Sequence, residues 1–139
     1  MSTVKEIIMS TEAALREDLA KIVNSHITSF EDFEKLLDKM IEEERGMRAT
    51  KGKDYTVGDD RLNNFREIAE DMTAAGFPIG MKQVIWIYFY KHIQSIRRYV
   101  CTGKISSEPI EGRILDARVY LSLLRAVVEE EKNNDTKIE

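Results

Sequence analysis

Glu108-Pro109-Ile110-Glu111-Gly112-Arg113-Ile114-Leu115-Asp116-Ala117-Arg118-Val119-Tyr120-Leu121 reads as the opening of a helix, and the fold follows from that reading. Proline suits the first turn, where its missing N–H has no intrahelical partner to lose, and an acid such as Glu108 suits the positive end of the helix dipole. At 3.6 residues per turn, Ile114, Ala117, Leu121, Leu124 and Val128 form one apolar band that Tyr120, Leu123 and Val127 widen. Asp116 points into the edge of this band. A carboxylate facing a core is costly unless a cation, a metal or a hydrogen-bond donor meets it, so Asp116 requires a partner.

The same period runs through the rest of the chain. Only two prolines and seven glycines interrupt it and no apolar run alternates, which predicts an all-α fold: a single-domain bundle of about five helices over residues 1–130, with 131–139 a disordered tail. The first helix, within residues 1–25, has a narrow stripe of Val4, Ile8, Thr11, Leu15, Leu19 and Ile22; such a helix serves as a strap across a bundle or as a dimer contact. Thr28 or Ser29 caps a second helix whose face is Phe30, Phe33, Leu37, Met40, Ile41 and Met47, with Glu44 in its midst. Residues Arg48 to Asp60 read as a polar loop, with cations and glycines able to approach a phosphate. Asp59 or Asp60 caps a third helix, which Gly76 ends. The fourth helix has the widest apolar face, Met81, Ile85, Trp86, Tyr88, Phe89, His92, Ile93, Ile96 and Tyr99, broad enough to predict a homodimer or higher homo-oligomer.

At 139 residues and 42% hydrophobic, the chain can bury one real core. Its net charge of −4 argues against gripping a nucleic-acid backbone by bulk electrostatics. Cys101 is the sole cysteine, which excludes an internal disulfide, and with only His26 and His92 beside it an ordinary structural zinc site is excluded as well. The opening residues hold acids and no apolar run long enough for a signal peptide or a membrane span, so a cytoplasmic protein is expected.

Four groups stand outside the apolar logic: Glu44, Asp54, His92 and Asp116. Carboxylates on facing helices can hold a hard cation such as Mg²⁺, which takes oxygen ligands and bridges to substrate phosphates. Equally, Asp116 can pair with Lys91, Arg61 or Arg113, and Glu44 with a similar cation, as polar fasteners between helices.

Lys51-Gly52-Lys53-Asp54-Tyr55, then Asp60-Arg61-Leu62-Asn63-Asn64-Phe65, Lys91-His92, and Glu108 to Asp116 with Tyr120 form an ordered set over residues 40–130. This set resembles the nucleotide-modification-associated domain family of phages and prophages, thought to be related to the all-α NTP pyrophosphatases, the MazG and dimeric dUTPase group. The resemblance implies a Mg²⁺-dependent helical oligomer that cuts a nucleotide between its α- and β-phosphates. It gathers Lys51, Asp54 and Tyr55 from the loop, Asn64, Lys91 and His92 from the third and fourth helices, and Glu111, Asp116 and Tyr120 from the fifth around one pocket. Two departures are visible: Arg113 stands where the pyrophosphatase pattern has a glutamate, and Glu67 and Glu70 face away from the core.

Two functional expectations follow. As an enzyme, Asp116 with Glu44 or Asp54 would hold Mg²⁺, Lys51, Lys53 or Lys91 would neutralise charge on the phosphates, and Asp116, Glu44 and His92 would be catalytic. As a binding protein, Arg113, Lys91, His92 and Asn64 would read a nucleotide while Tyr55 or Tyr120 stacks on its base, and in a phage-infected cell it would sequester a nucleotide-derived defence signal. A structural partner protein without a ligand is the third reading.

Overall fold

The computed structural model describes residues 1, 3–24, 29–54, 56, 58–104 and 107–137, with the side chains of residues 22–24 outside the description. The expected all-α architecture is present: α1 (Val4–Asn24), α2 (Phe30–Asp54), α3 (Asn63–Ala74), α4 (Met81–Thr102) and α5 (Ile110–Asp135), with no β-strand among the described residues. The chain divides into two compact units, Met1–Lys39 and Met40–Glu139.

In the first unit, α1 opens on a reciprocal cap. Thr3 Oγ1 accepts from the Glu6 N–H at 3.3 Å, and the Thr3 N–H donates to Glu6 Oε2 at 2.9 Å. The apolar stripe foreseen for α1 is exposed at Val4, Ile8, Leu15 and Leu19. Ser29 caps α2 by accepting from the Asp32 N–H at 3.1 Å; Thr28, the other candidate, lies outside the described residues.

The second unit holds the core. Here α5 lies against α4, and α3 packs on α4. Leu62, Phe65, Ala69, Val84, Ile85 and Val127 are buried at the junction, with Tyr88, Tyr120, Leu123 and Leu124 packed around them. Gly76 and Gly103 take φ of +92° and +65°, the left-handed conformation that glycine adopts without a Cβ penalty, and end α3 and α4.

Three stretches differ from expectation. The polar loop foreseen from Arg48 starts later, because α2 continues to Asp54. Arg, Ala and Lys favour helix, Lys51 and Lys53 suit its negative C-terminal end, and Arg61 Nη1 donates to the Arg48 carbonyl at 3.0 Å. Gly52 is what admits that guanidinium: a Cβ there would collide with it. Second, α5 runs on to Asp135, into the stretch from residue 131 expected to be a disordered tail. Arg66 forks onto Glu130 at 2.9 and 3.2 Å, and Lys82 meets Glu131 at 3.0 Å, so long-range ion pairs hold α5 where the tail was expected to begin.

Third, the buried faces of α4 and α5 are rotated from those the apolar pattern suggested. On α4, Val84, Ile85, Phe89 and His92 are buried while Trp86 is 54% exposed. On α5, Ala117 and Val127 are buried while Ile114 and Leu121 are exposed. The rotation carries Asp116 from the edge of the band toward its middle and brings Arg113 with it, since Arg113, Asp116, Ala117 and Tyr120 follow the i, i+3, i+4, i+7 spacing of one helical face.

Candidate functional site

That face of α5 meets α4 at His92. Among the described residues His92 is the one polar side chain in the buried class, 5% exposed. Its Nδ1 stands 3.5 Å from Asp116 Oδ2, too long and misaligned for a hydrogen bond. One helical turn earlier on α5, Arg113 Nε is 3.5 Å from Glu108 Oε2 and is equally without a hydrogen bond. The cluster thus contains two buried nitrogens, His92 Nδ1 and Arg113 Nε, with no hydrogen-bond partner, and a carboxylate whose side chain is 18% exposed.

Aromatic rings fix the imidazole. Tyr120 stacks on His92 at 5.3 Å between ring centres and on Tyr88 at 6.3 Å with the planes 5° apart, while Phe65 meets both tyrosines edge-on. Burial pushes the His92 pKa below its ordinary value, and the Lys91 and Arg113 charges add to this against the opposing pull of Asp116 and Glu108. His92 is therefore neutral at pH 7 and offers Nδ1 as donor or acceptor according to its tautomer.

The other anticipated residues fall into separate groups. Glu44, the second inward acid, is hydrogen-bonded to Arg118 Nε, with its side chain 12% exposed. Arg118 and Asp116 are two residues apart on α5, which sets them about 200° apart around the helix axis. Glu44 is thus a fastener between α2 and α5, and this arrangement does not fit a cation shared with Asp116. Among the described residues, no three His, Cys, Asp or Glu side chains are grouped as a metal site would need. Asp54, the third expected metal ligand, is exposed on the last turn of α2 beside Lys51 and Lys53, in helix rather than loop.

Lys91 is exposed, its Nζ 5.8 Å from the centre of the Tyr88 ring. Glu111 is exposed on the first turn of α5, Asn64 is half-buried on α3, and Tyr55 lies outside the described residues. Tyr120, foreseen as a base-stacking ring, lies against Phe65, Tyr88 and His92. A hollow of about 230 Å³ lined by Lys53, Thr56, Gly58, Asp59 and Arg61 shares no residue with the His92 cluster.

Of the anticipated set, then, His92, Arg113, Asp116, Tyr120 and Lys91 come together. One participant had no periodic signal: Glu108 reaches Arg113 from ahead of the helix, where spacing rules do not apply. Comparison with protein-family models, with curated proteins and with solved structures gave no match.

Proposed function

We propose that this chain binds a nucleotide or a nucleotide-derived phosphate compound at the His92, Arg113 and Asp116 cluster, and holds it without cutting it. One observation carries the reading: His92 Nδ1 and Arg113 Nε are both buried and both without a hydrogen bond. A buried donor left unsatisfied costs about 1–3 kcal/mol, and an oxyanion seated between the helices would satisfy Arg113 Nε and, in the tautomer that carries its proton on Nδ1, His92 as well. Arginine is suited to this because its planar fork matches phosphate geometry. The resemblance to the nucleotide-modification-associated family points to the same ligand class.

Binding is favoured over hydrolysis because Glu44 is held by Arg118, and Arg113 occupies the position at which the resembled enzymes have an acid. In the phage-infected cell that the resemblance implies, such a protein would act in the cytoplasm by sequestering a nucleotide-derived defence signal. No helix among the described residues is long and apolar enough to cross a membrane. Exposed Trp86, Ile87, Tyr90 and Val100 on α4 support the homo-oligomer.

The test is thermal-shift screening of the full chain against nucleotides, with and without Mg²⁺, followed by recovery of the ligand from the heated complex. The expected outcome is stabilisation that persists without the metal, intact ligand, and loss of the shift in Arg113→Gln. Turnover of the ligand would replace this reading with the enzymatic one, and a flat response to every nucleotide would remove it.

A further inference from the structure

Resting on the binding reading above, we infer that the site selects a nucleoside monophosphate, a single phosphate joined to a sugar with free hydroxyls, over the triphosphate that an NTP pyrophosphatase would take. The cluster presents two buried nitrogens without a hydrogen bond and, beside them, a partly exposed carboxylate. Arg113 Nε is a donor without an acceptor, and His92 Nδ1 is unpartnered. Asp116 is an acceptor that receives no hydrogen bond among the described residues, its nearest charged or titratable contact being the imidazole at 3.5 Å. A bare oxyanion would answer the arginine and leave the carboxylate facing negative charge. A ligand edge combining an oxyanion with a neighbouring O–H answers both, and a sugar phosphate carries that edge.

Charge sets the number of phosphates. Around His92 the cations Lys91 and Arg113 are set against the carboxylates Asp116 and Glu108, so these four groups leave no surplus of positive charge. Known polyphosphate cradles rely on surplus cations or a metal, and like charges brought together without either repel. Here Glu108 stands 3.5 Å from the guanidinium that would receive the phosphate, so each added phosphate brings more negative charge toward a carboxylate. One phosphate can be held by Arg113 with Lys91 at the exposed rim. Three would exceed what the two cations can offset.

Calorimetry on the full chain tests this with the four common ribonucleoside monophosphates, their triphosphates and inorganic tripolyphosphate, all without metal. The expected result is a monophosphate that binds at least about tenfold tighter than its own triphosphate, with tripolyphosphate not binding. In Asp116→Asn, which keeps shape and removes a negative charge, the monophosphate weakens and the gap to the triphosphate narrows. Arg113→Lys, which keeps the charge and loses the fork, weakens both ligands. A triphosphate that binds as tightly as its monophosphate overturns the inference while nucleotide binding itself stands. A preference that Asp116→Asn leaves unchanged overturns the role given to the carboxylate. Failure of every nucleotide to bind overturns both this inference and the reading it rests on.

Discussion

Across the joint between α4 and α5, His92 Nδ1 faces Asp116 Oδ2 at 3.5 Å with no hydrogen bond between them, in a setting dry enough that burial outweighs the carboxylate's attraction for a proton on the ring. The folded-state pKa of His92 therefore lies below its ordinary value of 6.5. The unfolded chain binds a proton more readily, so the native state loses stability as pH falls below 6.5, and the contribution is fully present above it. Urea midpoints measured from about pH 7.5 down to about pH 5.5 should fall, and His92→Gln should flatten that fall across the same range. A midpoint that rises on acidification would mean that Asp116 dominates and the imidazole is charged.

Glu44 and Arg113 separate structure from binding. Glu44→Ala strands Arg118 beside a half-buried helix face, an expected loss of about 1–3 kcal/mol in denaturant unfolding, with nucleotide affinity within about twofold of the parent. Arg113→Gln should do the reverse, with little change in stability and affinity reduced about tenfold or more. If Glu44→Ala instead abolished a Mg²⁺-dependent component of binding, Glu44 would be a metal ligand after all.

The helices could be read from the sequence because their signals are local. Ser29 as a cap, Gly76 and Gly103 as stops, and the apolar stripe of α4 each act within a few residues. The continuations of α2 to Asp54 and α5 to Asp135 could not, because what holds those turns comes from afar: Arg61 onto the Arg48 carbonyl, Arg66 onto Glu130, Lys82 onto Glu131. The site shows the same divide. Helical phase turned Asp116, Glu44 and His92 inward, which was legible, but which cation met which acid depended on the rotation of α5 against its neighbours. A shift of two positions along α5, from Asp116 to Arg118, separates the acid beside His92 from the partner of Glu44.

Arg66 ties the turn before α3 to the far end of α5, with Asp60 Oδ2 at 3.2 Å and both Glu130 oxygens in reach. These carboxylates hold the guanidinium charged well above its ordinary range, yet all three groups are about a third exposed, so solvent screens much of the gain. Glu130→Gln should cost about 1 kcal/mol at low salt and about half that at high salt, read from urea unfolding. An Arg66→Met and Glu130→Gln double-mutant cycle with no coupling at low salt would show the fork to be idle.

Ile85 and Trp86 are adjacent in sequence and opposite in environment, 1% and 54% exposed, although both belonged to the apolar face expected of α4. Ile85 fills the junction with α3 and α5, so Ile85→Ala leaves a cavity and should cost about 2–5 kcal/mol. Among the described residues the aromatic rings that Trp86 meets are Phe89 and Tyr90, at 5.5 and 6.2 Å between centres, and Trp86→Ala should change monomer stability by less than about 0.5 kcal/mol. Its effect should fall on assembly: in sedimentation velocity, Trp86→Glu should shift an oligomer toward monomer, because a carboxylate on an apolar contact face cannot be buried without a partner. Equal destabilisation by Ile85→Ala and Trp86→Ala would show that α4 is rotated from the orientation described, and with it the placement of His92 against Asp116.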